Sequence, residues 1–128
     1  MSYTKPTIAS AHFDGFKSTL PSMEGKTVAI TGTTSGTGDV AARTVADLGA
    51  RVVVLNRPSP RAEASFAALK AAYPTADLHA IDCDLQAFDA VRSAVKQVQA
   101  LCPDGLHVLC NNAGVMATPD AATEDGYD

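Results

Sequence analysis

The sequence predicts an α/β chain built on a doubly wound, parallel sheet of which the first four strands are present. Three observations predict it. Short β-branched or apolar runs alternate along the chain with stretches of helical period. Each run is bounded by Gly, Pro, Asn or Asp, as strands are. Every connection is long enough to carry a crossover helix, which allows parallel pairing where a tight hairpin would not. Right-handed crossovers then wind helices onto both faces and leave a ligand crevice at the carboxyl ends of the strands.

The elements follow in order. Phe13, Phe16 and Leu20 predict a short lead-in helix ended by Pro21, within a leading segment spanning 1–25. The runs TVAIT (27–31) and RVVVLN (51–56) read as strands buried on both faces; DLHAI (77–81) and LHVLC (106–110) are weaker versions. Between the first two, Ala41, Thr44, Val45 and Leu48 keep helical spacing over 38–49, and Gly49 supplies the stop. Ser59 and Pro60 read as N-cap and first helical residue of the next helix, with Ala62, Phe66, Leu69 and Tyr73 as its buried stripe and Pro74 as its end. Phe88, Val91, Val95 and Val98 form the stripe of a helix over 86–103.

Composition narrows the function classes. The chain has 128 residues, a net charge of −4 and scattered basic residues, which argues against nucleic-acid partners. No run is long and apolar enough for a membrane span, and the first 26 residues lack the apolar core of a signal peptide, so a cytoplasmic location is expected. Cys83, Cys102 and Cys110 are odd in number and show no CxxC spacing, so neither a disulfide framework nor a metal site is expected.

The stretch TGTTSGTG (31–38) consists only of glycine, threonine and serine, and it sits between a strand and a helix. Gly32 lets the chain leave the strand sharply, Gly36 lets backbone approach a ligand, and Gly38 allows the helix to pack closely on the sheet. The N-terminus of the following helix favours an anion, so the pyrophosphate of a dinucleotide is the expected occupant, with Thr33, Thr34, Ser35 and Thr37 as hydroxyl donors. A P-loop does not fit: GKT at 25–27 precedes the strand, and Leu20 stands where the loop's first glycine is needed.

This spacing, TGxxxGxG, resembles the fingerprint of the short-chain dehydrogenase/reductase family, with Thr37 at a usually apolar position. Three further stretches agree in order: GARVVVLNR (49–57), DCDL (82–85) and LCNNAGVM (109–116). The retinol dehydrogenase-like branch is the most similar, through GARVxLxxR, HVLxNNAGVM and TEDGY; light-dependent protochlorophyllide reductases are similar but usually lack the full NNAG. The resemblance implies a Rossmann-type fold and an oxidoreductase acting on a carbonyl or alcohol, with a hydrophobic substrate. It further implies that Asp84 and Leu85 contact the adenine, and that Asn111, Ala113 and Gly114 line the ribose and nicotinamide half, with Asn112 more structural.

The end of the second strand selects the cofactor. A carboxylate there would bind both ribose hydroxyls of NAD and repel a 2′-phosphate. Asn56 and Arg57 stand there instead: the neutral residue removes the repulsion, and the guanidinium offers a charge-assisted clamp, so NADP(H) is the expected cofactor. Arg61 could assist.

The family's catalytic tyrosine is followed four residues later by a lysine, and no YxxxK exists here: Tyr3, Tyr73 and Tyr127 all fail the test. No catalytic residue is therefore assigned. The expectation is an NADP(H)-binding half-domain over 26–128, truncated after its fourth strand, that would be inactive and marginally stable alone and would pair with its missing half or a second copy. A non-catalytic dinucleotide-binding module, or a bare scaffold that has lost its ligand, is the alternative.

Overall fold

The computed structural model describes residues 10–127, so Tyr3 and Asp128 lie outside the described residues. In chain order the elements are α1 (Phe13–Lys17), β1 (Thr27–Thr31), α2 (Gly36–Asp47), β2 (Arg51–Asn56), α3 (Pro60–Ala72), β3 (Leu78–Asp82), α4 (Phe88–Leu101) and β4 (Val108–Cys110). All pairings are parallel, and the sheet order is β3-β2-β1-β4. The chain thus reverses its winding direction between β3 and β4, which opens a crevice above the carboxyl end of β1.

Alternation along the central strands sorts the core into two layers. Val28, Ile30, Val52 and Val54 face α2 and α3, where Ala42, Ala46 and Leu69 meet them. Ala29, Val53 and Leu55 face the other way with Ile81, beneath Ala94, Val91, Val98 and Leu101 of α4. β1 and β2 are the buried centre of the sheet, which is why they carry the β-branched runs.

The helix stripes differ from those predicted. On α2 the buried positions are Gly38, Asp39, Ala42 and Ala46, with Ala41 and Val45 partly buried beside them. The apolar face turned to the strands is made of small side chains, Ala42 and Ala46, because that helix runs so close to them. On α3 only Leu69 is buried, with Phe66 and Tyr73 partly so. On α4, Ala94 is buried, whereas Val95 is 48% exposed and Phe88 44%, since one helix covering the face leaves its flank open. The helices also start two residues apart from expectation: α2 begins at Gly36 rather than Gly38, and α4 at Phe88 rather than Gln86.

β4 is shorter than the predicted run over 106–110. Leu106 turns under α4, and His107 bonds to β1 through its ring. The Thr27 amide donates to His107 Nδ1 at 3.0 Å, while the His107 amide donates to the Thr27 carbonyl at 3.2 Å. Thr27 is buried, so truncating the ring would strand an amide away from water. His107→Ala is expected to lower stability by roughly 1–2 kcal/mol, read from the midpoint of chemical denaturation; an unchanged midpoint would mean that water replaces the ring.

Among the described residues β4 bonds only to β1, and its Leu109 is 56% exposed. At the opposite end of the sheet Arg51 clamps the amino ends of β2 and β3. Its Nε donates to Asp77 at 2.6 Å and its NH1 to the Leu101 carbonyl at 3.0 Å, and the Arg51 guanidinium holds the Asp77 carboxyl below its ordinary pKa.

Candidate functional site

A cleft of about 910 Å³ lies over the carboxyl ends of β1, β2, β3 and β4, where the winding direction changes. Its floor is the glycine loop, through Gly32, Thr34 and Ser35; one wall is the β2–α3 turn with Arg57, Ser59 and Arg61. Cys83, Asp84, Leu85 and Gln86 form a second wall. Asn112, Ala113, Gly114 and residues of the segment 115–123 close the third side.

The loop is fixed from both neighbouring strands. Gly32 takes φ 70° to leave β1, and a Cβ there would stand 2.8 Å from Ala113 Cα, so the loop and the turn after β4 are in direct backbone contact. Asn112 secures that contact: its Nδ2 donates to the carbonyls of Thr31 at 3.1 Å and Gly32 at 3.0 Å. The Ala113 amide donates to Thr31 Oγ1 at 2.9 Å. From the other side Asn56 grips Thr33, accepting from its amide at 2.8 Å and donating to its hydroxyl at 2.9 Å.

These contacts redistribute several expected roles. Thr33 is buried and does not line the cleft, its hydroxyl oxygen accepting from Asn56, so it is not placed to donate to a ligand, and the Asn56 side chain, although at the cleft, is engaged by the loop. Gly38 is buried behind the loop, Gly36 and Thr37 sit exposed at the start of α2, and none of the three lines the cleft. Gly36 still matters to the turn, which it passes at φ 59°. Asn111 is exposed and does not line the cleft, whereas Asn112 does, because three-residue β4 ends one position before Asn111 and the next side chain swings inward. Gly32, Thr34, Ser35, Arg57, Asp84, Leu85, Ala113 and Gly114 are brought together around one space.

The electrostatics favour an anion at one end. Ser35, the N-cap of α2, makes no side-chain bond to the first turn among the described residues, in contrast to Ser59, whose hydroxyl accepts from the Ala62 amide at 3.0 Å on α3. The first turn of α2 thus keeps its positive dipole end directed at the loop. Arg57 is exposed at the end of β2, and no carboxylate stands at that strand end. At the opposite wall Asp84 Oδ1 accepts from the Gln86 amide at 3.0 Å, forming a turn ahead of α4 rather than capping the helix itself. Burial pushes the Cys83 thiol up, so it stays protonated in the wall. No group of three metal-ligating side chains occurs, and no helix is long and apolar enough to cross a membrane, among the described residues.

The short chain dehydrogenase family model matches residues 26–126. The chain belongs to the short-chain dehydrogenase family. It is 39% identical over 109 residues to the short-chain dehydrogenase/reductase drtF of Aspergillus calidoustus, covering 85% of this chain and 34% of that protein. To retinol dehydrogenase 12 of Mus musculus it is 32% identical over 125 residues, covering 98% of this chain and 39% of that protein. Among solved structures, L-sorbose reductase from Gluconobacter frateurii, complexed with NADPH and L-sorbose, superposes with a TM-score of 0.67 at 28% identity, covering 81% of this chain and 40% of that one. This short-chain dehydrogenase chain therefore spans about a third of the length of the curated relatives it matches. Neither Tyr73, which ends α3, nor Tyr127, which packs on Phe88, lines its cleft.

Asn112 and the segment 118–123 are the parts of the site that sequence reasoning assigned no ligand-side role, and the hold of Asn56 on Thr33 is likewise unforeseen. Both asparagines stand at strand ends beside glycine-rich turns, where a short amide can satisfy backbone groups. That position was the only available signal.

Proposed function

We propose that the cleft binds NADP(H) and that the chain is the cofactor-binding part of an oxidoreductase interconverting an alcohol and a carbonyl. The observation that carries the reading is Arg57 on the cleft wall at the end of β2, beside an Asn56 whose side chain is turned into the loop. A ribose 2′-phosphate at that strand end would meet a guanidinium, and β2 itself ends on no carboxylate. The loop and the amino end of α2 would hold the pyrophosphate, and Asp84 with Leu85 would flank the adenine. Ala113 and Gly114 would lie beside the nicotinamide half. The cofactor would supply or accept the hydride.

The names of the relatives support the chemistry, and retinol dehydrogenase 12 supports a hydrophobic substrate. L-sorbose reductase, solved with NADPH, supports the choice of cofactor. Titration of the protein with NADPH and NADH, followed by nucleotide fluorescence, tests the reading. Tighter binding of NADPH is expected; a preference for NADH, or no binding of either, would overturn it.

One variant sharpens the test. Asn56→Asp keeps the acceptor for the Thr33 amide but adds a negative charge beside Arg57. NADPH is expected to weaken roughly fivefold to tenfold, the scale of one unfavourable charge contact of about 1 kcal/mol in a water-like dielectric, with NADH unchanged or improved.

A further inference from the structure

The segment after β4 does more than end the sheet. It turns at Ala117, a non-glycine residue at φ 53°, and runs along the cleft, lining it with Thr118, Pro119, Ala122 and Thr123. Its far end is a closed turn: the Thr123 amide donates to the Tyr127 carbonyl at 2.7 Å, the Gly126 amide to the Thr123 carbonyl at 2.9 Å, and the Tyr127 amide to Thr123 Oγ1 at 3.2 Å. That turn presents Asp125 to α4.

The amino end of α4 needs such a partner. Its N-cap is Ala87, which has no side-chain acceptor, and the nearby Asp84 carboxylate is engaged by Gln86. The Phe88 amide instead donates to Asp125 Oδ2 at 2.8 Å, across 37 positions of sequence, and the Phe88 and Tyr127 rings meet at 5.4 Å beside it. A carboxylate suits a helix N-terminus on electrostatic grounds as well. The same helix start carries the wall of Asp84, Leu85 and Gln86.

We propose that residues 115–127 form a strap over the dinucleotide cleft, and that Asp125 is a positioning residue that latches the strap to the start of α4. Building on the dinucleotide reading, the latch fixes the distance between the strap and the wall assigned to adenine, and its release opens the cleft for cofactor exchange. The contact is local and polar, with exposed partners, so it can break without unfolding the sheet.

The sequence contains no tryptophan, so Tyr127→Trp places a single fluorescent reporter on the latch. In that background Asp125→Ala is expected to red-shift the reporter and to speed NADPH release about tenfold in stopped-flow displacement, the ratio for losing one charge-assisted hydrogen bond. Asp125→Asn, which keeps an acceptor oxygen but not the charge, is expected to restore both in part. Ala87→Ser added to Asp125→Ala gives α4 a local cap; it should recover thermal stability while release stays fast. The latch is overturned if Asp125→Ala leaves the reporter and the release rate unchanged, or if Ala87→Ser alone restores slow release, which would reduce Asp125 to helix stabilisation. If the parent protein binds neither NADPH nor NADH, the dinucleotide reading fails separately, and the latch then stands or falls on whether Asp125→Ala shifts the reporter.

Discussion

Arg57→Ala is expected to weaken NADPH binding by roughly tenfold to a hundredfold and to leave NADH nearly unaffected. The magnitude is that of one or two charge-assisted hydrogen bonds to a phosphate, about 1.5–3 kcal/mol in total. The side chain is exposed on the cleft wall and makes no contribution to the sheet, so its loss should cost affinity without cost in stability. Arg57→Lys should recover only part of the loss, because an ammonium cannot reproduce the planar fork of a guanidinium. Paired titrations with the two nucleotides, alongside a thermal melt, read all of this. Equal weakening of NADPH and NADH would place Arg57 on a part of the nucleotide common to both and remove the argument for a 2′-phosphate.

Gly38→Ala is expected to destabilise the protein by roughly 2–4 kcal/mol, well beyond Gly36→Ala in the same loop. Intrinsic helix propensity favours alanine there by about 1 kcal/mol, since Gly38 lies inside α2 with ordinary helical backbone. Sterics oppose it: a Cβ at 38 would stand 2.2 Å from the Gly32 carbonyl oxygen and 2.5 Å from Asn112 Nδ2. The first of these atoms is backbone and cannot swing away. The second is the amide that ties the turn after β4 to β1, so making room means breaking a bond at 3.0 Å as well. Gly36→Ala is the control. Its Cβ would meet open space but would sit at φ 59°, a cost of about 1–2 kcal/mol. Chemical denaturation of the two variants should therefore rank Gly38→Ala well below Gly36→Ala. The reverse order would mean that α2 shifts outward freely, and that the loop is not held between the two strands.

The pattern of agreement between sequence and fold has a physical basis. The strands at 27–31 and 51–56 were read to the residue because they lie at the centre of the sheet, where burial on both faces demands an unbroken β-branched run. The outer strands carry weaker demands. β3 therefore moved by one residue and β4 shrank to three, with His107 bonding to Thr27 through its ring as well as its backbone amide. Helix faces were read less well than strands, since periodicity marks large side chains while the α2 interface is made of Gly38, Ala42 and Ala46. Val95 was assigned to the core of α4 by the same spacing that placed Val91 and Val98, and only the packing separates them.

The site divides along the same line. The glycine loop, the arginine after the second strand and the turn after the fourth were legible because each is a local device: a backbone bend, a charge at a strand end, a strand-to-loop junction. By itself the sequence determined the alternating α/β order, the glycine loop between β1 and α2 and the absence of a carboxylate at the end of β2. The tertiary structure alone decided which polar side chains face the cleft and which are consumed in building it. Asn56 and Thr33 satisfy each other, Asn112 bridges β1 to the turn after β4, and Asp125 reaches α4 from 37 residues away. Each of these is a hydrogen bond between groups distant in sequence. Its existence depends on where the packed sheet brings two strand ends or a strand and a helix start together, and no spacing along the chain encodes that distance.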